Sequence, residues 1–362
     1  MRAKFVFDIS SHGFGHAGQC IPVLAALHHL NPEMQLVIRT GLPKSFFEER
    51  LDFNFDYINA RYDFSLAMRS ALEVDVAASV ERYAKVHAAW PANVAAAAEE
   101  LARLQADALV SNVDYLGLAA AAKAGVPAWA FSSLNWADLF SHFCGRMPGA
   151  QAIHAEMAMA YNRAEAFFQP VPFMPMPSLL NCKTVGPLAR KGVVRRREIA
   201  RFLKVPNPDD FRLVVVSLGG IPFELDVNQW PSFPENFRFV VTSNLNGRHP
   251  QVVAANSLPY GFLDVFCSAD ALVTKPGYGM AVDAACNGIP VLYVRRQDWP
   301  EEQYIADWLC SNNRAAEMLL PDLYRGQFQK AVEKLWGASI PNPPEPTGAF
   351  EIAAELLNSI RV

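Results

Sequence analysis

Short apolar runs alternate along the chain with longer segments whose apolar residues recur at helical spacing. In the first half, residues 4–9, 35–40, 107–111 and 128–131 are runs of strand length rich in Val, Ile, Leu and Phe. Between them, 19–30 places Ile21, Leu24, Ala25 and Leu27 on one helical face. The alanine-rich stretch 64–106 predicts helix broken at Pro91, and 115–124 predicts another helix. The second half repeats the alternation, with strand-like runs at 212–217, 237–242, 270–273 and 290–294. Strands alternating with helices predict an α/β chain with a doubly wound, parallel sheet in each half.

The pattern breaks at 169–177, where proline is too dense for a helix or a central strand; this segment is expected to be a stiff crossing between domains. A second proline cluster, 341–346, precedes a final helix at 349–360. The expected organisation is a first domain over 1–185, a second over 186–345, and a C-terminal helix, 346–362, returning toward the first. A chain of 362 residues is long for one ordinary core, which agrees with two domains.

Composition narrows the class. Hydrophobic residues are 51% and charged residues 19%, which excludes a disordered chain. A formal charge of -4 argues against a nucleic-acid partner. The dense basic run Arg195-Arg196-Arg197 opens a helical segment and reads as a solvated face. Six cysteines lie far apart without a Cys-x-x-Cys pair, as in a reduced, cytoplasmic protein. No signal peptide and no apolar stretch of membrane-spanning length is expected.

Two glycine turns carry the candidate chemistry. In the second half, Val273-Thr274-Lys275-Pro276-Gly277-Tyr278-Gly279-Met280 reads as strand, turn and helix start. Backbone N–H groups at a helix N-terminus suit a phosphate. Asp283, one turn further on, could take ribose hydroxyls, or could be an exposed helix residue. Gly219-Gly220 follows another strand on the same sheet edge and lets the backbone approach a phosphate, or makes a plain tight turn. Arg295 to Gln303, after the next strand, reads either as a sugar-reading loop or as a charged one.

In the first half, Gly13-Phe14-Gly15-His16-Ala17-Gly18 matches a dinucleotide fingerprint literally. However, Ser11 and His12 separate it from the strand, and the second strand ends in Arg39-Thr40 instead of an acid. Arg39 suits a 2′-phosphate, which keeps an NADP-dependent oxidoreductase as an alternative. His16, on this turn, is the candidate general base; at a helix N-terminus it stays neutral, and its other reading is a cap or packing residue. Asn112 and Asp114 follow a strand of the same half, where each could orient an imidazole or cap a helix.

Ser11-His12-Gly13-Phe14-Gly15-His16-Ala17, Val110-Ser111-Asn112-Val113, Asn135-Trp136, Met176-Pro177, Leu218-Gly219-Gly220-Ile221-Pro222, Lys275-Pro276-Gly277-Tyr278-Gly279 and Tyr293-Val294-Arg295-Arg296 together resemble the GT-B glycosyltransferases over nearly the whole chain. Within that family they are most similar to the N-terminal, glycosyltransferase-like half of L-arabinokinase and its bacterial relatives. The sequence in hand holds no sugar-kinase half, so kinase activity is not implied. The resemblance implies two Rossmann-like domains facing across a cleft, with the nucleotide sugar held mainly by the second. It implies His16 as base on the acceptor hydroxyl, Asp283 on the ribose and Glu302-Gln303 on donor sugar hydroxyls. The Leu258-Pro259-Tyr260 backbone is similar to the base-binding loop. Gly15, Gly219, Gly220, Lys275, Gly277, Tyr278, Gly279 and Met280 are further donor-side candidates, and His12, Asn135 and Trp136 acceptor-side ones. One departure stands out: relatives carry Asp at the position of Asn112, so either Asp114 replaces that carboxylate or the base is weakened.

The expected function is transfer of a sugar from a nucleotide-diphosphate sugar, UDP-linked, to an unidentified hydroxyl acceptor, with neither metal nor further cofactor. The alternatives are a catalytically weak nucleotide-sugar-binding module and a GT-B-fold epimerase or hydrolase.

Overall fold

A computed structural model describes residues 3–60, 64–70, 73–219, 224–242, 244–295, 298–339 and 341–360. The chain divides into two compact units, Met1–Leu188 with Thr347–Val362, and Ala189–Pro346. Among the described residues, no helix is long and apolar enough to cross a membrane.

The first unit is built on seven parallel strands: β1 (Lys4–Ile9), β2 (Gln35–Thr40), β3 (Asp56–Asn59), β4 (Ala108–Asn112), β5 (Ala128–Phe131), β6 (Phe167–Pro170) and β7 (Cys182–Val185). Their spatial order is β3-β2-β1-β4-β5-β6-β7. The order reverses between β1 and β4, which pair in register from Phe5 with Ala108 to Ile9 with Asn112. Both strands are near-continuous apolar runs because helices cover both faces of a parallel sheet. Helix α1 (Phe14–Leu30) follows β1, and α2 (Val76–Ala88) and α3 (Trp90–Leu104) precede β4. Helix α4 (Tyr115–Ala124) connects β4 to β5; α5 (Trp136–Cys144) and α6 (Ala150–Tyr161) lead on to β6. Pro91 sits in the first turn of α3, where its missing N–H costs no helical bond. Part of 64–75, expected to be helical, instead forms a short antiparallel pair, Met68–Ser70 with Glu73–Val74.

The second unit holds six parallel strands: β8 (Arg212–Ser217), β9 (Phe237–Val241), β10 (Val252–Ala254), β11 (Ala271–Thr274), β12 (Val291–Tyr293) and β13 (Ala315–Glu317), in the order β10-β9-β8-β11-β12-β13. Here the order reverses between β8 and β11. Helices α7 (Tyr278–Cys286) and α8 (Pro300–Asn312) follow β11 and β12. An aromatic core of Trp230, Phe233, Phe237, Phe239 and Phe328 packs beneath this sheet.

The C-terminal helix α9 (Gly348–Ile360) belongs to the first unit, where it packs on α1 and pairs Glu355 with Lys183 of β7 at 2.5 Å. The proline-rich segment corrects an expectation. Phe167–Pro170 is strand β6, inside the sheet between β5 and β7, and the whole stretch 169–177 lies within the first unit. Pro170 is tolerated as the last residue of its strand, where little ladder bonding remains to be lost.

Candidate active site

Open α/β sheets bind ligands beyond the C-terminal ends of their strands, where strand order reverses. In the first unit that point lies between β1 and β4. The chain leaves β1 at Ile9 and turns at Gly13, whose φ of 92° favours glycine. Helix α1 then begins at Phe14, five residues earlier than the periodicity predicts, so Gly15 and His16 lie in its first turn and not on a loop.

His16 is 7% exposed. Its Nδ1 lies 2.8 Å from Asn112 Oδ1, at the end of β4. Asn112 is fully buried, and its Nδ2 donates to the Phe131 carbonyl at 3.0 Å and to Gln19 Oε1 at 3.2 Å. Gln19, one turn beyond His16 on α1, donates through Nε2 to Ser133 Oγ at 2.9 Å. Burial, with the neighbouring His12 as a second cause, holds the His16 pKa down at about 3, against the opposing pull of the Asn112 bond. His16 is therefore neutral at pH 7, and its buried ring resists taking a proton.

Trp136 closes one side of this cluster. Its ring lies edge-on to His12 at 5.2 Å and tilted to His16 at 5.7 Å. Asn135 caps α5, with its Oδ1 accepting from the Asp138 N–H at 2.8 Å. Asp114 does not take the place of the missing carboxylate in the imidazole bond, which goes to Asn112. It caps α4, accepting from Leu116 N at 3.0 Å and Gly117 N at 2.9 Å. Arg39 is buried and clamped on Asp8 at 2.6 and 2.7 Å, so its guanidinium is engaged inside the sheet and is not presented to a 2′-phosphate.

In the second unit the reversal lies between β8 and β11, and both candidate turns leave it there. Gly219, after β8, has φ 83°. A Cβ built on it would stand 3.3 Å from Cε and 3.9 Å from Nζ of Lys275, so the Lys275 side chain crosses the Gly219 turn. Gly220, with Ile221 and Pro222, lies outside the described residues, as does Arg296. Gly277 is the N-cap of α7 and makes no side-chain cap bond. Around Gly277 and Gly279 an added Cβ would meet nothing within 4 Å, so the start of the helix faces open space. Tyr278 is buried, and Met280 is partly buried in the same turn.

Asp283 corrects an expectation. It is 3% exposed; Oδ1 accepts from the Arg190 N–H at 2.8 Å and Oδ2 from the Arg190 guanidinium at 2.6 Å. Asn287 Nδ2 donates to the Arg190 carbonyl at 2.9 Å. The acid therefore anchors the segment entering the second unit to α7 and is not the exposed helix residue that the sequence also allowed. Glu302 and Gln303 occupy the first turn of α8, but Glu302 is buried and Gln303 exposed, since adjacent helical residues point in different directions. Leu258 is buried, while Tyr260 packs edge-on to Phe202 at 6.5 Å and lies 6.0 Å from the Arg195 guanidinium.

The sequence reading missed Gln19, Ser133 and Arg190. Gln19 was detectable: three residues beyond His16 on a helix, it shares its face. Arg190 carries no local pattern that points to Asp283.

No protein-family model matches the chain. L-arabinokinase from Arabidopsis thaliana is 24% identical over 337 residues, covering 91% of this chain and 32% of that protein, so the chain spans about a third of its length. Among solved structures, the glycosyltransferase of kitacinnamycin superposes with a TM-score of 0.61 at 15% identity, covering 99% of this chain and 95% of that one. SnogD from Streptomyces nogalater gives 0.56 at 16% identity over 99% of this chain and 100% of its own. Arabidopsis thaliana UGT89C1 complexed with UDP gives 0.59 at 12% identity, covering 100% of both. Likeness at these identities establishes architecture: the chain has the GT-B fold of the glycosyltransferases, two Rossmann-like domains each built on a parallel sheet.

Proposed function

We propose that the chain transfers a sugar from a nucleotide-diphosphate sugar to a hydroxyl acceptor, with His16 as general base. One observation carries this reading: a neutral, buried imidazole is hydrogen-bonded at the strand-order reversal of the first sheet, in a fold shared with solved glycosyltransferases. His16 Nε2 takes the acceptor proton as the oxygen attacks the anomeric carbon. The nucleotide diphosphate leaves with the bonding electrons of its glycosidic oxygen. On the second unit, the start of α7 and the Lys275 ammonium supply positive potential for that diphosphate, without a metal ion. The UDP named with UGT89C1 supports a uridine donor.

A second reading is a catalytically weak nucleotide-sugar-binding module. Asn112 favours it, because an amide does not stabilise the imidazolium as a carboxylate would. Incubation with UDP-, GDP- and dTDP-linked sugars, with and without a chelator, separates the outcomes. Sugar transfer insensitive to the chelator supports the proposal. Binding without turnover supports the module, nucleotide release without acceptor indicates hydrolysis, and an altered sugar indicates epimerisation. Absence of nucleotide-sugar binding refutes both readings.

A further inference from the structure

His16 presents two ring nitrogens, and only a bare Nε2 suits a base whose Nδ1 is engaged by Asn112. Which nitrogen carries the proton follows from a chain of donors and acceptors with a fixed end. That end is the Phe131 carbonyl, which can only accept. The Asn112 atom 3.0 Å from it must therefore be the amide nitrogen. The second hydrogen of that nitrogen meets Gln19 at 3.2 Å, so Gln19 turns its carbonyl oxygen to Asn112. The remaining Gln19 nitrogen then faces Ser133 Oγ at 2.9 Å, which accepts. With its nitrogen so occupied, Asn112 turns only its oxygen to the imidazole, and the 2.8 Å contact requires a hydrogen on Nδ1. Asn112, Gln19 and Ser133 are all buried, so a misoriented amide would find no water to replace its partners.

We propose that Gln19 and Ser133 are positioning residues, which act through the Asn112 amide to hold His16 as the Nδ1–H tautomer with a bare Nε2. The role assigned to that Nε2 rests on the transferase reading, whereas the tautomer itself does not. Helix α1 supplies the geometry, since His16 and Gln19 are one turn apart and both reach toward Asn112. A carboxylate at 112 would accept from the imidazole in either orientation. An amide works in only one, which the Phe131 carbonyl and Gln19 Oε1 select together, a requirement that a His–carboxylate pair would not have.

Two-bond proton–nitrogen correlation spectra of protein labelled in its eight histidines report the tautomer without any substrate, with His16 assigned by its loss in His16→Gln. At about pH 7, we expect a protonated Nδ1 and a bare Nε2. Gln19→Leu should introduce the Nε2–H form and, on an identified substrate, lower kcat roughly 10–100-fold with little change in KM. Gln19→Glu, which still accepts from Asn112 and takes a hydrogen from Ser133, should restore the wild-type ring signature. Wild-type protein with hydrogen on Nε2 would overturn the assignment whether or not the variants fold. Indistinguishable spectra for wild type and Gln19→Leu would remove Gln19 from the role. An inactive protein with the expected tautomer would refute only the transferase reading.

Discussion

Burial of a neutral His16 ties the stability of the first unit to pH, and the size of the effect follows from the two ends of its titration. In the unfolded chain the imidazole titrates near its ordinary value of 6.5, and in the folded protein at about 3. Above the upper value both states are neutral and His16 contributes no pH dependence. Below it only the unfolded chain takes the proton, so stability falls as pH drops, until the folded ring also protonates near the lower value. One proton at 2.3RT per pH unit gives a loss of about 2 kcal/mol between about pH 7 and about pH 5. The perturbation is His16→Gln, which keeps a donor for Asn112 and removes the titration. Denaturant unfolding of both proteins at the two pH values gives a double difference, in which groups common to both, such as His87, cancel. Wild type should lose about 2 kcal/mol more than the variant on acidification. Equal losses would mean that His16 titrates normally and is not held in a water-poor site.

Three further predictions follow from named contacts. Asp283→Asn should cost the second unit roughly 1–3 kcal/mol in denaturant unfolding, because it removes the charge facing the half-buried Arg190 guanidinium, and should leave nucleotide affinity unchanged. Lost affinity at intact stability would return Asp283 to the ribose. Lys275→Ala should weaken nucleotide-diphosphate binding by roughly tenfold in calorimetry, the worth of one charge-assisted contact, and equal affinities would detach Lys275 from the phosphates. Asn112→Asp should raise the His16 pKa and leave turnover equal or higher. A fall in turnover with the pKa raised would mean that the amide, and not a carboxylate, is what the site requires.

Architecture was legible because parallel strands buried on both faces read as uninterrupted apolar runs. β1 and β2 span the same residues in sequence and structure, as does α4. The glycine turns were legible for a similar reason: Gly219 needs positive φ, and Gly277 opens a helix directly after a strand. Two features misled. The apolar spacing of 19–30 starts α1 at Gln19, yet packing of Ala17, Cys20 and Ile21 in the core carries the helix back to Phe14. The proline density of 169–177 suggests a crossing between domains, yet Pro170 ends strand β6 without losing a needed bond. The fate of Asp283 was not legible at all. A carboxylate one turn into a helix suits a ribose or a guanidinium equally, and Arg190 lies 93 residues away in sequence.

Whether His16 removes the acceptor proton is tested most directly by comparing wild type with His16→Ala on one identified nucleotide sugar and acceptor, measuring turnover and nucleotide affinity on the same preparations. The proposed donor contacts, at Gly219, Lys275 and the start of α7, lie on the second unit, and His16 lies on the first. Loss of a positioned base should therefore cut turnover by roughly 10²–10⁴-fold and leave nucleotide affinity nearly unchanged. Normal turnover in His16→Ala would contradict the account, leaving the histidine as a packing residue beneath Trp136. Parallel loss of affinity and turnover would contradict it differently, by placing His16 on the donor.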